Sequence, residues 1–134
     1  MKTITLASAQ PTELLDITSD LHDAVTESGI EEGICSVFCL HTTACMLVNE
    51  NEPGLKQDFE AVVRDLLPQA QYRHDCVDNN ARSHLTAGIV GGNLMIPVHE
   101  GRLVLGTWQS VFFVELDGPR PRRSVAVQVI PSNA

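Results

Sequence analysis

The chain has 134 residues, enough for one domain with a core of its own. Hydrophobic residues make up 43% and charged residues 19%, which excludes a disordered chain, and no apolar run approaches the length of a bilayer span. A net charge of −8 with a pI near 4.9 argues against a nonspecific nucleic-acid binder.

A first strand is expected over residues 2–9, where Lys2, Thr3, Ile4, Thr5 and Leu6 alternate polar and apolar character. That opening lacks an apolar signal core and a cleavage site, so the expected compartment is the cytoplasm, with no membrane partner. A short extended piece precedes Asp16. Thr18 or Ser19 is then expected to cap a helix reaching Ser28, with Ile17, Leu21, Ala24 and Val25 on one side and Gly29 as its stop. Apolar, β-rich runs at 34–40 and 44–48 flank His41-Thr42-Thr43. Pro53-Gly54 opens a second helix over 55–67, with a stripe of Phe59, Val62, Val63, Leu66 and Leu67, and Pro68 ends it. Residues 69–83 are polar and without a period, and loops of such length are often functional. A short helix over 84–89 stops at Gly91-Gly92. Strands follow at 94–98, 102–105, 110–116 and 124–130, with a tight turn at Glu100-Gly101 and an arginine-rich turn over 117–123. Helices early and hairpins late predict one α+β domain over 1–134, a largely antiparallel or mixed sheet packed with two main helices.

The four cysteines form no CxxC pair, which leaves a zinc ribbon or a thioredoxin-type site without support. Cys35, Cys39 and Cys45 lie on apolar strand patterns and read as core packing, while Cys76 sits in the polar stretch and takes no assigned role. The positive charge is uneven. Arg120, Arg122 and Arg123 crowd one turn, which suits a small anionic ligand, or equally a solvated turn beside acidic neighbours.

Polar groups gather where strands end and loops begin, the places from which a scaffold presents side chains to a ligand. They are His41-Thr42-Thr43, then Asn49-Glu50 with Asp58 on the following helix, then His74 through Asn79 to His84, then Thr107-Trp108-Gln109, and lastly Arg120 and Arg122. Arginine forks neutralise a phosphate, and carboxylates or imidazoles can hold a metal that does the same. Trp108, the one tryptophan, can stack on a flat ring or can equally be a core anchor, and Gln109 can read a ring edge. Glu50 and His84 are the candidate general bases, with His41 beside them. His41, His74 and His84 are the candidate ligands for a divalent ion, Mg2+ or Zn2+, although their spacing matches no metal motif. His22 and His99 read as surface residues.

His41 to Ala44 after a strand, Asn49-Glu50 after the next, His84 with Leu85 and Ala87, Leu105 to Gln109, and Glu115 to Arg120 follow one another in a particular order. Taken together they resemble the YjbQ-like family, the secondary thiamine-phosphate synthases, along nearly the whole chain. Gly-Thr-Trp-Gln is the most specific element, and Arg82 departs from the acidic or small residue usual at that place. The resemblance implies an α+β fold and a homotrimer. It also implies a thiamine-phosphate synthase-like transferase that joins a pyrimidine diphosphate to a thiazole phosphate and releases pyrophosphate. Thr42, Thr43, Asn49, Asp58, Asn79, Thr107, Trp108, Gln109, Arg120 and Arg122 are the expected substrate contacts. The same polar groups also suit a trimeric binding module for a phosphorylated metabolite or a metal, or a metal-dependent hydrolase. A small chain that builds one core has little room for an enclosed pocket, so a site at a subunit boundary is expected.

Overall fold

Strict alternation is clearest in the last strand, where Arg123, Val125, Val127 and Val129 turn inward and the residues between them stay more exposed. In the computed structural model, which describes residues 1–133, this is the longest strand, and it pairs with two others in the larger of two sheets. The elements in chain order are β1 (Lys2–Ser8), β2 (Glu13–Asp16), α1 (Thr18–Ser28), β3 (Gly33–Cys39), β4 (Ala44–Asn49) and α2 (Pro53–Asp65). After them come α3 (Asp75–Asp78), α4 (Ala81–Val90), β5 (Asn93–His99), β6 (Arg102–Leu103), β7 (Ser110–Glu115) and β8 (Arg120–Pro131). One sheet runs β1-β8-β3-β5-β6 and the other β2-β7-β4, with every described pairing antiparallel. The α+β class holds, with the strands divided between two sheets.

The sheets and helices stack in layers. The inner face of the large sheet (Cys35, Val37, Ile96, Val125, Val127) packs with Leu21 and Val25 of α1 against Met46, Val111 and Phe113 of the small sheet. The opposite face of the small sheet, Cys45, Phe112 and Val114, packs on Phe59 and Val63 of α2 and Ala87 of α4. Strand β7 is therefore apolar on both faces because both are covered within one chain. Cys35, Cys39 and Cys45 are buried and Cys76 is exposed. Burial pushes the Cys45 thiol up to about 12. No helix among the described residues is long and apolar enough to cross a membrane.

Several boundaries differ from the sequence reading, each for a local reason. Helix α1 is not capped by its own Thr18 or Ser19. The Asp16 carboxylate instead accepts from the Thr18 amide at 2.9 Å and from its hydroxyl at 2.6 Å. The Thr18 hydroxyl oxygen in turn accepts from the Val111 amide at 2.8 Å, tying the helix to β7. Helix α2 starts at Pro53 and ends at Asp65, because Glu52 caps it: its carboxylate accepts from the amides of Gly54 at 3.0 Å and Leu55 at 2.6 Å. Polar residues 69–83 hold α3 and the first turn of α4, so the described chain has four helices and not two main ones alone. The Asp75 carboxylate accepts from the Ala81 amide at 2.9 Å and so supports the start of α4. Arg120 to Arg123 belong to strand β8 and not to a turn.

Candidate functional site

The antiparallel β4–β7 pair has two ends, and the polar motifs divide between them. Ala44 pairs with Glu115 at one end and Asn49 with Ser110 at the other. With six residues in β4, the ends lie roughly 17 Å apart at about 3.3 Å per residue.

At the first end Glu115 finishes an apolar strand with its carboxylate fully buried. Such a charge has to be met by a cation and hydrogen bonds. Arg123 lies across the β7–β8 connection on the inward face of β8, and its Nε donates to Glu115 Oε1 at 2.8 Å while its NH2 group contacts Oε2. The Ser8 hydroxyl donates to the same carboxylate at 2.6 Å and the Asp117 amide at 3.0 Å. Arg123 also donates to Thr43 Oγ1 at 2.9 Å, and the Ser8 hydroxyl oxygen accepts from the Arg120 amide at 2.8 Å. Burial raises the Glu115 carboxyl, but the hydrogen bonds from Arg123, Ser8 and Asp117 outweigh it and hold the group below the ordinary range. Gly118 closes the region: a side-chain carbon there would meet the Gln10 carbonyl oxygen at 2.1 Å.

His41 stands at the same end. Its Nε2 accepts from the Ser124 amide at 2.8 Å, so in the neutral ring the proton sits on Nδ1. Burial first, and then the Arg123 cation, lower its pKa, which keeps the ring neutral at physiological pH. Thr43 is buried and already bonded to Arg123, and Thr42 beside it is exposed. The Thr43 hydroxyl is thereby part of the network that ties β4 to β8.

The second end is open. Gly106 to Gln109 form a turn in which the Gln109 amide donates to the Gly106 carbonyl at 3.0 Å and the Gly106 amide to Gln109 Oε1 at 2.8 Å. Thr107 and Trp108 occupy the tip, and the Trp108 indole is 72% exposed. Its alternative reading as a core anchor falls away. Trp108 and Gln109 join Val48, Asn49 and Glu50 around a shallow hollow of about 220 Å³. Asn49 Oδ1 accepts from the Glu50 amide at 2.8 Å, which fixes the backbone leading to that carboxylate.

The remaining candidates lie elsewhere. His74 and His84 meet edge to face with ring centroids 4.7 Å apart, while His41 stacks against Phe113. Three histidines do not converge within one chain, and no group of three His, Cys, Asp or Glu side chains able to hold a metal occurs among the described residues. Of the three expected imidazoles, His74 and His84 adjoin each other, and the Nε2 of His41 accepts from a backbone amide. Two imidazoles fall short of the three protein ligands of a catalytic zinc. Arg120 is also committed: its Nε donates to the Asp117 carbonyl and its NH2 group to Asp117 Oδ2, both at 2.8 Å. Arg122, Asp58 and Asn79 are exposed, and no described hydrogen bond engages the first two side chains. Sequence reasoning passed over Ser8, Glu115 and Arg123 as a unit. The available signal was a carboxylate closing an apolar strand with an arginine eight positions later.

A model of the UPF0047 protein YjbQ-like family matches residues 2–132. Among curated proteins, a UPF0047 protein of Methanothermobacter thermautotrophicus is 47% identical over 119 residues, spanning 88% of this chain and 83% of that one. The UPF0047 protein YugU of Bacillus subtilis is 34% identical over 123 residues, spanning 91% and 93%. Among solved structures, a YbjQ-like protein of unknown function from Sulfolobus solfataricus superposes with a TM-score of 0.94 at 40% identity, covering 98% of this chain and 96% of that one. A YjbQ/UPF0047-family protein from Clostridium acetobutylicum superposes at 0.91 with 36% identity, covering 97% and 100%.

Proposed function

The chain belongs to the UPF0047 protein YjbQ-like family, and on that footing we propose that it is a small transferase of the thiamine-phosphate synthase type with its site at a subunit boundary. The observation that carries the reading is Trp108, 72% exposed at a turn tip beside the hollow that Glu50 and Gln109 also line. The exposed indole presents a flat face that suits a heteroaromatic ring. In the reaction the thiazole nitrogen attacks the methylene carbon of the pyrimidine diphosphate. The carbon–oxygen bond breaks, and its electron pair leaves with pyrophosphate. That step creates a positively charged thiazolium without moving a proton, so the carboxylate of Glu50 serves by balancing charge. Asn49, Thr107 and Gln109 supply hydrogen bonds around the ring.

The groups suited to the leaving diphosphate, Arg122 with Thr42 and the Nδ1–H of His41, belong to the other end of the β4–β7 pair. His74, His84 and Asn79 belong to the α3–α4 segment. In this reading they reach the ring from a neighbouring subunit. Support comes from the outer face of the large sheet, where Ile34 (38%), Phe38 (54%), Met95 (63%) and Ile130 (47%) are exposed together on adjacent strands. Coverage of that face by copies of the chain fits a homotrimer. A divalent ion, Mg2+ or Zn2+, enters only if a second chain adds a ligand to His74 and His84, and no step is routed through it. A metal-dependent hydrolase has the same requirement.

The test pairs mass with turnover. Light scattering is expected to give a trimer, and a monomeric mass at micromolar concentration would refute the shared site. Pyrophosphate release is expected only when both substrates are present, and Trp108→Ala should lower kcat/KM by about tenfold or more. Release no faster than without protein refutes the transferase. Saturable binding of the pyrimidine diphosphate without release points to the binding module, which the shallowness of the 220 Å³ hollow favours as a second reading.

A further inference from the structure

The hollow at the open end of the β4–β7 pair has an apolar floor, one aromatic wall and one charge. Val48, which packs against the main core cluster, is the floor. Side chains alternate along a strand, so extending the register one step past Asn49 and Ser110 sets Glu50 opposite Gln109. Both then fall on the face that Val48 shares with its partner Val111. Trp108, the one tryptophan of the chain, completes the wall from the turn tip with its indole 72% exposed.

Backbone partners sort the polar atoms. Asn49 Oδ1 accepts from the Glu50 amide at 2.8 Å and Gln109 Oε1 from the Gly106 amide at 2.8 Å, so the side-chain NH2 groups are the donors that remain. Glu50 is the one acid among the five lining residues, and no base accompanies it. Its carboxylate takes part in no hydrogen bond or ion pair among the described residues. Asp16, at the same end of the small sheet, is by contrast engaged. It accepts from Asn51 Nδ2 at 2.6 Å and from the Thr18 amide and hydroxyl.

The face of an indole is electron-rich, and a carboxylate without a counter-ion beside it adds a full negative charge. An anionic ring is disfavoured by both, and a neutral ring gains stacking alone. A cation gains from both. Since a single aromatic ring lines the hollow, a round quaternary ammonium cannot be caged, whereas a flat cation can lay its whole face on the indole. No histidine lines the hollow to hand a proton to a neutral ring, so the charge has to be permanent. We propose that the Trp108 hollow binds an N-alkylated heteroaromatic cation, its ring on the indole, its charge beside Glu50, and an acceptor on the ring toward the NH2 groups of Asn49 and Gln109. The volume of about 220 Å³ matches about seven waters at about 30 Å³ each, which is room for one ring. This names a ligand class for the hollow on which the proposed function also rests, and it needs no transfer reaction.

The experiment follows the single indole Nε1–H signal of the intact protein labelled with nitrogen-15. The probe is 1-methylnicotinamide, a pyridinium that carries a carboxamide. Nicotinamide, the same ring and amide without the methyl group and the charge, is the control. A saturable shift is expected with both, with a Kd about tenfold lower for the cation. Tetramethylammonium, charged but round, should bind about tenfold more weakly than 1-methylnicotinamide. Glu50→Gln keeps the size of the side chain and removes its charge. It should weaken the cation about threefold and leave nicotinamide unchanged. Equal affinity for the two pyridines, or a preference for the cation undiminished by Glu50→Gln, overturns the proposal. Tetramethylammonium binding as tightly as the flat cation overturns it too. No saturable shift with any probe means that another chain covers the indole or that nothing small binds there, and also overturns it. Preference for the cation without pyrophosphate release from the two phosphorylated substrates sinks the transferase alone. Release without that preference sinks this proposal alone.

Discussion

The two ends of the β4–β7 strand pair carry similar polar residues in opposite states. At the Glu115 end four polar groups are buried and engaged: carboxylate, guanidinium and two hydroxyls bind one another and join β1, β4, β7 and β8. At the Trp108 end the side chains stand in a turn and a strand terminus, largely exposed, with their bonds spent on local backbone. Motif residues can thus do two different jobs. Glu115, Arg123, Thr43 and Ser8 hold strands in place, while Glu50 and Trp108 are left free to meet something else. The difference comes from depth. A buried charge needs a full set of partners, whereas an exposed one is satisfied by water.

The sharpest way to break the contrast is Arg123→Ala. It leaves the Glu115 carboxylate buried without its cation, and loss of one partner of a buried pair costs about 3–5 kcal/mol. Denaturant unfolding should show that loss. Replacing both residues, Glu115→Leu with Arg123→Met, should recover part of it, because the stranded charge is then gone. A loss under about 1 kcal/mol in the single variant would mean the network is not what holds this end together.

Acid tests the same end more gently. The His41 pKa is lowered in the fold, so below its ordinary value of 6.5 the unfolded chain takes up a proton that the folded chain refuses. Stability falls with pH there. The Glu115 carboxyl is also lowered, so its contribution is present above its ordinary value of 4.5 and is lost as pH drops below that toward the folded value. Two successive losses are expected in unfolding free energy measured against pH, one starting near 6.5 and one near 4.5. His41→Gln, which keeps an acceptor for the Ser124 amide but cannot titrate, should remove the upper one alone. A profile unchanged by that substitution would assign the upper loss to another group.

The sequence made the elements readable wherever period and punctuation agreed. Alternation marked β1, and Gly29 and Pro53 marked helix ends. It failed where a distant partner overrode the local signal. Arg120, Pro121, Arg122 and Arg123 look like a solvated turn, yet Lys2 to Ser8 pair with this stretch and its continuation and draw it into β8. The start of α4 was hidden because the Asp75 carboxylate that meets it is six residues away. Among site residues, the exposure of Trp108 followed from the Gly106–Gln109 turn, which the sequence displays. The engagement of Thr43 and His41 did not, since their partners Arg123 and Ser124 lie some 80 residues on. The split of β7 between two covered faces was likewise invisible, because an apolar strand shows only that both faces are buried and not by what.

The smallest expected effect on stability is at the open end, and it sharpens the contrast most. Trp108→Ala removes the largest aromatic side chain in the protein, a change that in a core would cost about 3–5 kcal/mol. Here the indole is 72% exposed and the turn beneath it is closed by Gly106 and Gln109, not by the ring. Within one protomer the substitution should therefore change unfolding free energy by no more than about 0.5 kcal/mol. The reading of a shared site adds a concentration dependence. If a neighbouring subunit covers Trp108, the variant should match the wild type in dilute, dissociated protein and fall behind it as concentration rises, because only the assembled form loses buried area. Melting temperatures measured across a concentration series separate the cases. A large loss at every concentration would place the ring in the protomer's own core. No difference at any concentration would leave the indole facing solvent, with a ligand and not a subunit as what it waits for.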